Sequence, residues 1–215
     1  LLTYAAENGL SGGERLAGIP GSIGGAVRGN AGAFGTEIKD LMKNVSVLNT
    51  ETGEVKTCDA VKCDFMYRDS FFKKHPEYII VSATFTFTPG EKKTIQKEMY
   101  HTIAQRNAKQ IQGIKSAGSW FVNPAVNSTI QAQFTKETQK ESHGGRVPAG
   151  WLLQECGMFK KRIGDIQAGT QHANYFINMG NGTAEQAMQL STLAKTRVRD
   201  TFGVQLKEEV VLAGF

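Results

Sequence analysis

No dense block of charge, no apolar run of membrane length and no CxxC pair of cysteines occurs in this 215-residue sequence, and each shortage removes a class of function. Lysines and arginines outnumber acids 25 to 20, a net charge of +5. They gather only into short groups such as Lys73-Lys74, Lys92-Lys93 and Lys160-Lys161-Arg162, which suit solvated faces and predict no nucleic-acid partner. A bilayer span needs about 20 successive apolar residues; no such run occurs, and no charged n-region followed by an apolar h-region is seen in these residues. The expectation is therefore no membrane partner and a cytoplasmic location. The three cysteines, Cys58, Cys63 and Cys156, are odd in number and have neither CxxC nor metal-ligand spacing. This argues for a reducing compartment and against a disulfide framework or a metal site. HExxH, GxxxxGK[ST] and a GxGxxG after a strand are missing, which leaves metalloprotease, P-loop and Rossmann readings without support.

What the sequence does have is glycine, concentrated in one place. Ser11 to Gly35 holds nine of its 24 glycines. Glycine permits positive φ and close approach of a ligand to the main chain, so the stretch is either a backbone cradle for an anion or a chain of tight turns. Leu1–Asn8 reads as a helix. Alternation over Asn44–Leu48 and Glu54–Thr57, with Thr52-Gly53 between, predicts a β-hairpin, and Tyr78–Phe87 is the strongest strand signal. Lys92–Asn107 turns helical, with Ile95, Met99, Ile103 and Ala104 on one face. A domain boundary near residue 90 follows. Ser119–Asn123 reads as a strand, 127–146 as a mobile polar loop, and Pro148–Cys156 as a helix. Two strand-like runs occupy 163–181. Thr183–Phe202 is an amphipathic helix with Ala187, Leu190, Leu193, Ala194 and Val198 on one face, ended at Gly203, and Leu206–Leu212 is a last strand.

Several side chains could carry chemistry. Ser119 stands in no GxSxG elbow, so a hydrolase nucleophile is not indicated, but its aromatic neighbours could keep the hydroxyl dry. Arg68, after Tyr67, could clamp a carboxylate or phosphate, or pair with Asp64 or Asp69. Glu208-Glu209 is a candidate acid or a solvated charge pair. His172 lies in a strand-like region, apart from the peripheral His75, His101 and His143. These residues alone reach no further than an anion-binding flavin or nucleotide protein.

Taken in order, however, separate segments resemble one family, the UDP-N-acetylenolpyruvoylglucosamine reductases (MurB). The segments are Gly9-Leu10-Ser11-Gly12, Leu16–Ala26, Asn30–Gly35, Tyr67–Ser70, Ala117-Gly118-Ser119 with Phe121 and Asn123-Pro124, Pro148–Leu153, and Phe202-Gly203-Val204 through Glu209-Val210. The resemblance implies an α+β fold: the C-terminal part of a VAO/PCMH-type (vanillyl-alcohol-oxidase) FAD-binding domain over 1–90, then a MurB C-terminal α/β substrate domain over 91–215. It also implies a truncation, since the Gly-Gly-Gly-Ser-Asn-like loop of the family's first flavin subdomain is not found. The absence of a long loop between Pro89 and Lys115 points to the branch without the tyrosine loop.

The resemblance further implies an NADPH-dependent FAD oxidoreductase that makes UDP-N-acetylmuramate from UDP-N-acetylglucosamine enolpyruvate for peptidoglycan, as a monomer. Ser119 would protonate the substrate, with Arg68 and Glu209 as the other catalytic residues. Pro20, Gly21, Ser22, Ile23, Gly24, Gly25, Asn30, Gly32, Ala33 and Gly35 would line the flavin, and Tyr67, Asn123 and His172 would bind substrate. The alternative is a non-catalytic relative that binds a UDP-sugar without turnover.

Overall fold

Val45 and Val47 point one way along their strand, Asn44 and Ser46 the other, and that period of two is what a half-buried strand requires. The computed structural model describes residues 1–109 and 113–214 and divides into two compact units, Leu1–Ile111 and Gln112–Phe215. The first runs through α1 (Leu2–Glu7), β1 (Leu10–Ser11), α2 (Ile23–Arg28), β2 (Gly32–Ala33), β3 (Thr36–Glu37), β4 (Met42–Asn49), β5 (Val55–Asp59), α3 (Phe71–Lys74), β6 (Tyr78–Phe85), β7 (Thr88–Pro89) and α4 (Lys92–Lys109).

The hairpin is present as β4 and β5, closed by a turn in which Asn49 Oδ1 accepts from the Glu51 and Thr52 amides and Gly53 takes φ +73°. β4 is the centre of an antiparallel sheet of order β5-β4-β6, and Val45 and Val47 are fully buried. β6 is not a simple run. Its register slips so that Ser46 faces Ser82 while Val47 faces Ile80. A bulge of one residue inverts the in-out parity of the strand, which leaves Ile79 and Val81 exposed and turns Ala83 and Phe85 inward.

The strand ends at Phe85, and Thr88–Pro89 pairs with β1 instead. α4 packs on α1 and on the 3-10 turn Glu14–Leu16, burying Ile95 and Met99 against Ala6 and Ala17. Thr102, not the exposed Ala104, completes the buried stripe. The helix thus belongs to the first compact unit, past the expected boundary near residue 90.

The second unit contains β8 (Lys115–Ser119), α5 (Ser128–Thr138), α6 (Ala149–Glu155), β9 (Arg162–Ile163), β10 (Ile166–Ala168), β11 (Tyr175–Asn178) and α7 (Ala184–Phe202). Its antiparallel sheet has the order β8-β11-β10-β9, with α7 over β9 and β10 and α6 against α7. Ala187, Leu190, Ala194 and Val198 are the buried face of α7, with Leu193 partly buried beside them. Thr183 caps the helix in a reciprocal box with Gln186, and Gly203 ends it at φ +67°, as the cap rules require.

Three sequence expectations fail here. The supposed mobile loop contains α5, capped by Asn127 Oδ1 on the Ile130 amide and anchored by only two buried side chains, Ile130 and Phe134. Two apolar positions four residues apart are too few to raise a periodic signal. The strand expected over 119–123 is β8, ending at Ser119. The expected last strand is reduced to a bridge between Phe121 and Glu208.

All three cysteines are free thiols, and burial pushes Cys63 up to about 11. Among the described residues, no helix is long and apolar enough to cross a membrane.

Candidate functional site

The glycine-rich segment of the first unit lines a cleft of about 400 Å³, a size that suits an organic ligand. Pro20, Gly21, Ser22, Ile23 and Gly25 form one side, with Leu16, Ile38, Leu41, Phe85, Met99 and Ile103 as apolar wall. Ser22 Oγ accepts from the Gly25 amide and starts α2. Gly21, at φ +126° with open space where a side chain would stand, leaves the main chain bare towards solvent. Gly24 lies in α2 on the side of Ile80, away from the cleft lining.

The rest of the expected flavin-lining set has a different place. Asn30 is fully buried at φ +42°, and its side chain is spent inside the protein. Nδ2 donates to Glu37 Oε2 at 3.0 Å and to the Met66 carbonyl at 2.9 Å, while Oδ1 accepts from the Lys39 amide at 3.0 Å. It thereby ties the hairpin of β2 and β3, which carries Gly32, Ala33 and Gly35, to the turn that holds Tyr67 and Arg68. That turn is tight, with Met66 and Asp69 exchanging both backbone hydrogen bonds and Arg68 at φ +56°.

Arg68 Nη2 donates to the Gly32 carbonyl at 2.6 Å, and the guanidinium carbon lies 5.2 Å from the Tyr67 ring centroid. A Cβ on Gly32 would sit 2.8 Å from Glu37 Cγ and 3.1 Å from Arg68 Nη1, so this close approach needs glycine. The structure therefore joins Arg68, Asn30 and Gly32 into one cluster, which the sequence did not reveal.

In the second unit Ser119 is the last residue of β8, half-buried, after Gly118 at φ +86°. Among the described residues nothing hydrogen-bonds to its hydroxyl. Glu209 lies one residue away across the backbone, its amide donating to the Trp120 carbonyl at 2.8 Å. The adjacent carboxylate, Glu208, turns out not to be a solvated charge. It accepts from Ser191 Oγ at 3.1 Å and from Lys195 Nζ at 3.0 and 3.2 Å, and Ser191 in turn accepts from the Trp120 indole at 2.9 Å. Partial burial raises the Glu208 carboxyl, but the Lys195 ammonium and its other donors outweigh this and hold it below the usual range.

Asn123 and His172 each approach the first turn of α6. Asn123 Oδ1 caps the Ala149 amide at 3.0 Å, and the His172 ring lies over Gly150, where a Cβ would be 2.8 Å from Cε1. His172 lines a cleft of about 300 Å³ with Gly150, Trp151, Gln154 and Glu137. His172 Nδ1 is buried without a hydrogen-bond partner among the described residues, and burial pushes its imidazole below the ordinary 6.5.

The folded ring therefore resists a proton that the unfolded chain accepts, so stability falls as pH drops below about 6.5. His172→Phe is expected to remove part of that acid loss, read as a smaller shift in the urea midpoint between about pH 7.5 and about pH 5 than in the parent. An unchanged shift would show that His172 is protonated freely in the fold.

Sequence reasoning missed Asn174, Ser191 and Lys195. Their spacing, one before a strand and two on a helix face, carries no motif.

Comparison with known proteins agrees with this architecture. Residues 107–213 match the family description "UDP-N-acetylenolpyruvoylglucosamine reductase, C-terminal domain". Over its whole length the chain is 36% identical to the UDP-N-acetylenolpyruvoylglucosamine reductase of Solibacter usitatus, covering 68% of that protein. It is 37% identical to that of Carboxydothermus hydrogenoformans, covering 64%. The crystal structure of UDP-N-acetylenolpyruvylglucosamine reductase (MurB) from Thermus caldophilus aligns at a TM-score of 0.74 and 28% identity, over 98% of this chain and 67% of that one. The chain thus spans roughly two thirds of the length of these relatives. With both units accounted for by the same relatives, the chain belongs to the UDP-N-acetylenolpyruvoylglucosamine reductase family.

Proposed function

We propose that this chain carries the substrate-reducing part of an NADPH- and FAD-dependent reductase, which converts UDP-N-acetylglucosamine enolpyruvate to UDP-N-acetylmuramate in the cytoplasm. The observation that carries the reading is whole-chain similarity to these reductases, together with the placement of Ser119 and Glu209 on either side of the Trp120 peptide. The cleft beside Pro20–Ser22 fits a flat heteroaromatic group, because bare main chain lines one side and apolar side chains the other. FAD bound there would supply the hydride for the enolpyruvyl C3 and would be recharged by NADPH.

The chain's own residues handle charge and proton. Addition of hydride at C3 leaves the electron pair at C2, delocalised onto the substrate carboxylate. Arg68 favours that negative charge through its guanidinium. Glu209 would be the further catalytic residue, its backbone amide held on the Trp120 carbonyl. Ser119 Oγ gives its proton to C2. A serine hydroxyl is a weak acid, so a dry setting and neighbouring donors must stabilise the alkoxide it leaves or relay a new proton to it. Asn123, Tyr67 and His172 would orient the substrate.

The test is spectroscopic. Protein containing this chain should bind FAD and turn yellow, and anaerobic NADPH should bleach the flavin band. UDP-N-acetylglucosamine enolpyruvate should then restore it. A preparation that FAD cannot turn yellow, or reduced flavin that the enolpyruvyl sugar fails to reoxidise, would remove the reading.

A further inference from the structure

β8 ends at Ser119, yet the next peptides remain hydrogen-bonded on both sides. On one side stands Asn174, the residue just before β11. Its carbonyl accepts from the Trp120 amide at 2.7 Å. Its side-chain Oδ1 accepts from the Phe121 amide at 2.9 Å, and its Nδ2 donates to the Phe121 carbonyl at 2.8 Å. On the other side the Trp120 carbonyl accepts from the Glu209 amide at 2.8 Å, and the Val122 amide donates to the Lys207 carbonyl at 3.0 Å.

A carboxamide has the same donor and acceptor as a peptide group, so the Asn174 side chain reproduces the paired bonds of an antiparallel ladder where no strand is available. Asn174 and Phe121 are 2% and 1% exposed, which leaves no water to take over these bonds if the amide is lost.

We propose that Asn174 is a positioning residue for proton delivery: by replacing a strand beside Phe121 it fixes the Trp120 peptide, and with it the spacing between Ser119 and Glu209. The inference rests on the reading of Ser119 as proton donor. It follows that this position needs an amide. Aspartate keeps the acceptor but loses the donor while ionised, and only its protonated form offers both.

The test separates the two half-reactions in the flavin-loaded protein. Asn174→Ala is expected to slow reoxidation of the reduced flavin by the enolpyruvyl sugar about 10–100-fold, since small misplacements of reacting groups cost that much. Reduction by NADPH should be unchanged. In a Ser119→Ala background the same substitution should cost less than it does in the parent, because both changes act on one step. In ligand-free protein the Phe121 amide should exchange with solvent faster.

A parent-like rate in Asn174→Ala, or losses that multiply with Ser119→Ala, overturns the proposal. If Ser119→Ala itself is without effect, the proton-donor reading fails instead. Should Asn174→Ala not fold, isosteric Asn174→Asp decides. Its reoxidation rate relative to the parent should climb as pH falls and the carboxyl regains its donor, and a ratio independent of pH overturns the proposal.

Discussion

Ser119→Ala is expected to slow the enolpyruvyl half-reaction by about 10²–10⁴-fold, the usual contribution of a positioned proton donor, and to leave reduction of the flavin by NADPH at the parent rate. The asymmetry follows from where the hydroxyl acts: it gives a proton to substrate C2 and has no part in loading the flavin. Stopped-flow absorbance of the flavin band measures each half separately. The geometry makes alanine a clean probe. Ser119 lies between Gly118 at φ +86° and the fixed Trp120 peptide, and among the described residues its hydroxyl supports no other group, so removing the oxygen should not disturb the backbone. Equal losses in both half-reactions would mean that Ser119 is structural and that another group supplies the proton.

Leu190→Ala should destabilise the second unit by about 2–5 kcal/mol, the range for deleting a fully buried leucine whose cavity cannot collapse. Leu190 is completely buried on the inner face of α7, within the cluster that includes Leu152, Leu153, Met158 and Phe176. The helix covers β9 and β10 and touches α6, so the residue is held from several directions. Urea unfolding followed by tryptophan emission suits this measurement, because both tryptophans, Trp120 and Trp151, belong to the second unit and the signal reports that unit alone. A change below about 1 kcal/mol would show that the cluster relaxes around the cavity, contrary to the dense packing expected of such a core.

How much of this could be read beforehand depended on the range over which each signal acts. The hairpin of β4 and β5 and the capped helix α7 arise from local periodicity and cap chemistry, and the sequence contains both. The bulge in β6 escaped because a continuous apolar run looks the same with or without a change of parity; only the partner strand imposes the slip. α5 escaped because two buried side chains are enough to hold a helix against a neighbouring core and too few to mark one. Asn30 was expected beside the flavin for its place in the motif, whereas its side chain is consumed by Glu37, Lys39 and the Met66 carbonyl. Motif position therefore did not reveal what that asparagine's side chain does inside the fold.

From the sequence alone come the resemblance to the family, the α+β plan and Arg68, Ser119 and Glu209 as candidates, because ordered motifs and local periodicity survive without coordinates. Tertiary structure decided which partners those residues meet. Arg68 reaches Gly32 from 36 positions away, Asn174 takes the place of a strand beside Phe121 from 53 positions away, and Glu208 is neutralised by Lys195 while Glu209 is tied to Trp120. The physical reason is that a hydrogen bond acts over about 3 Å of space and is blind to chain separation, so pairings of this kind come into being only once the chain has closed on itself.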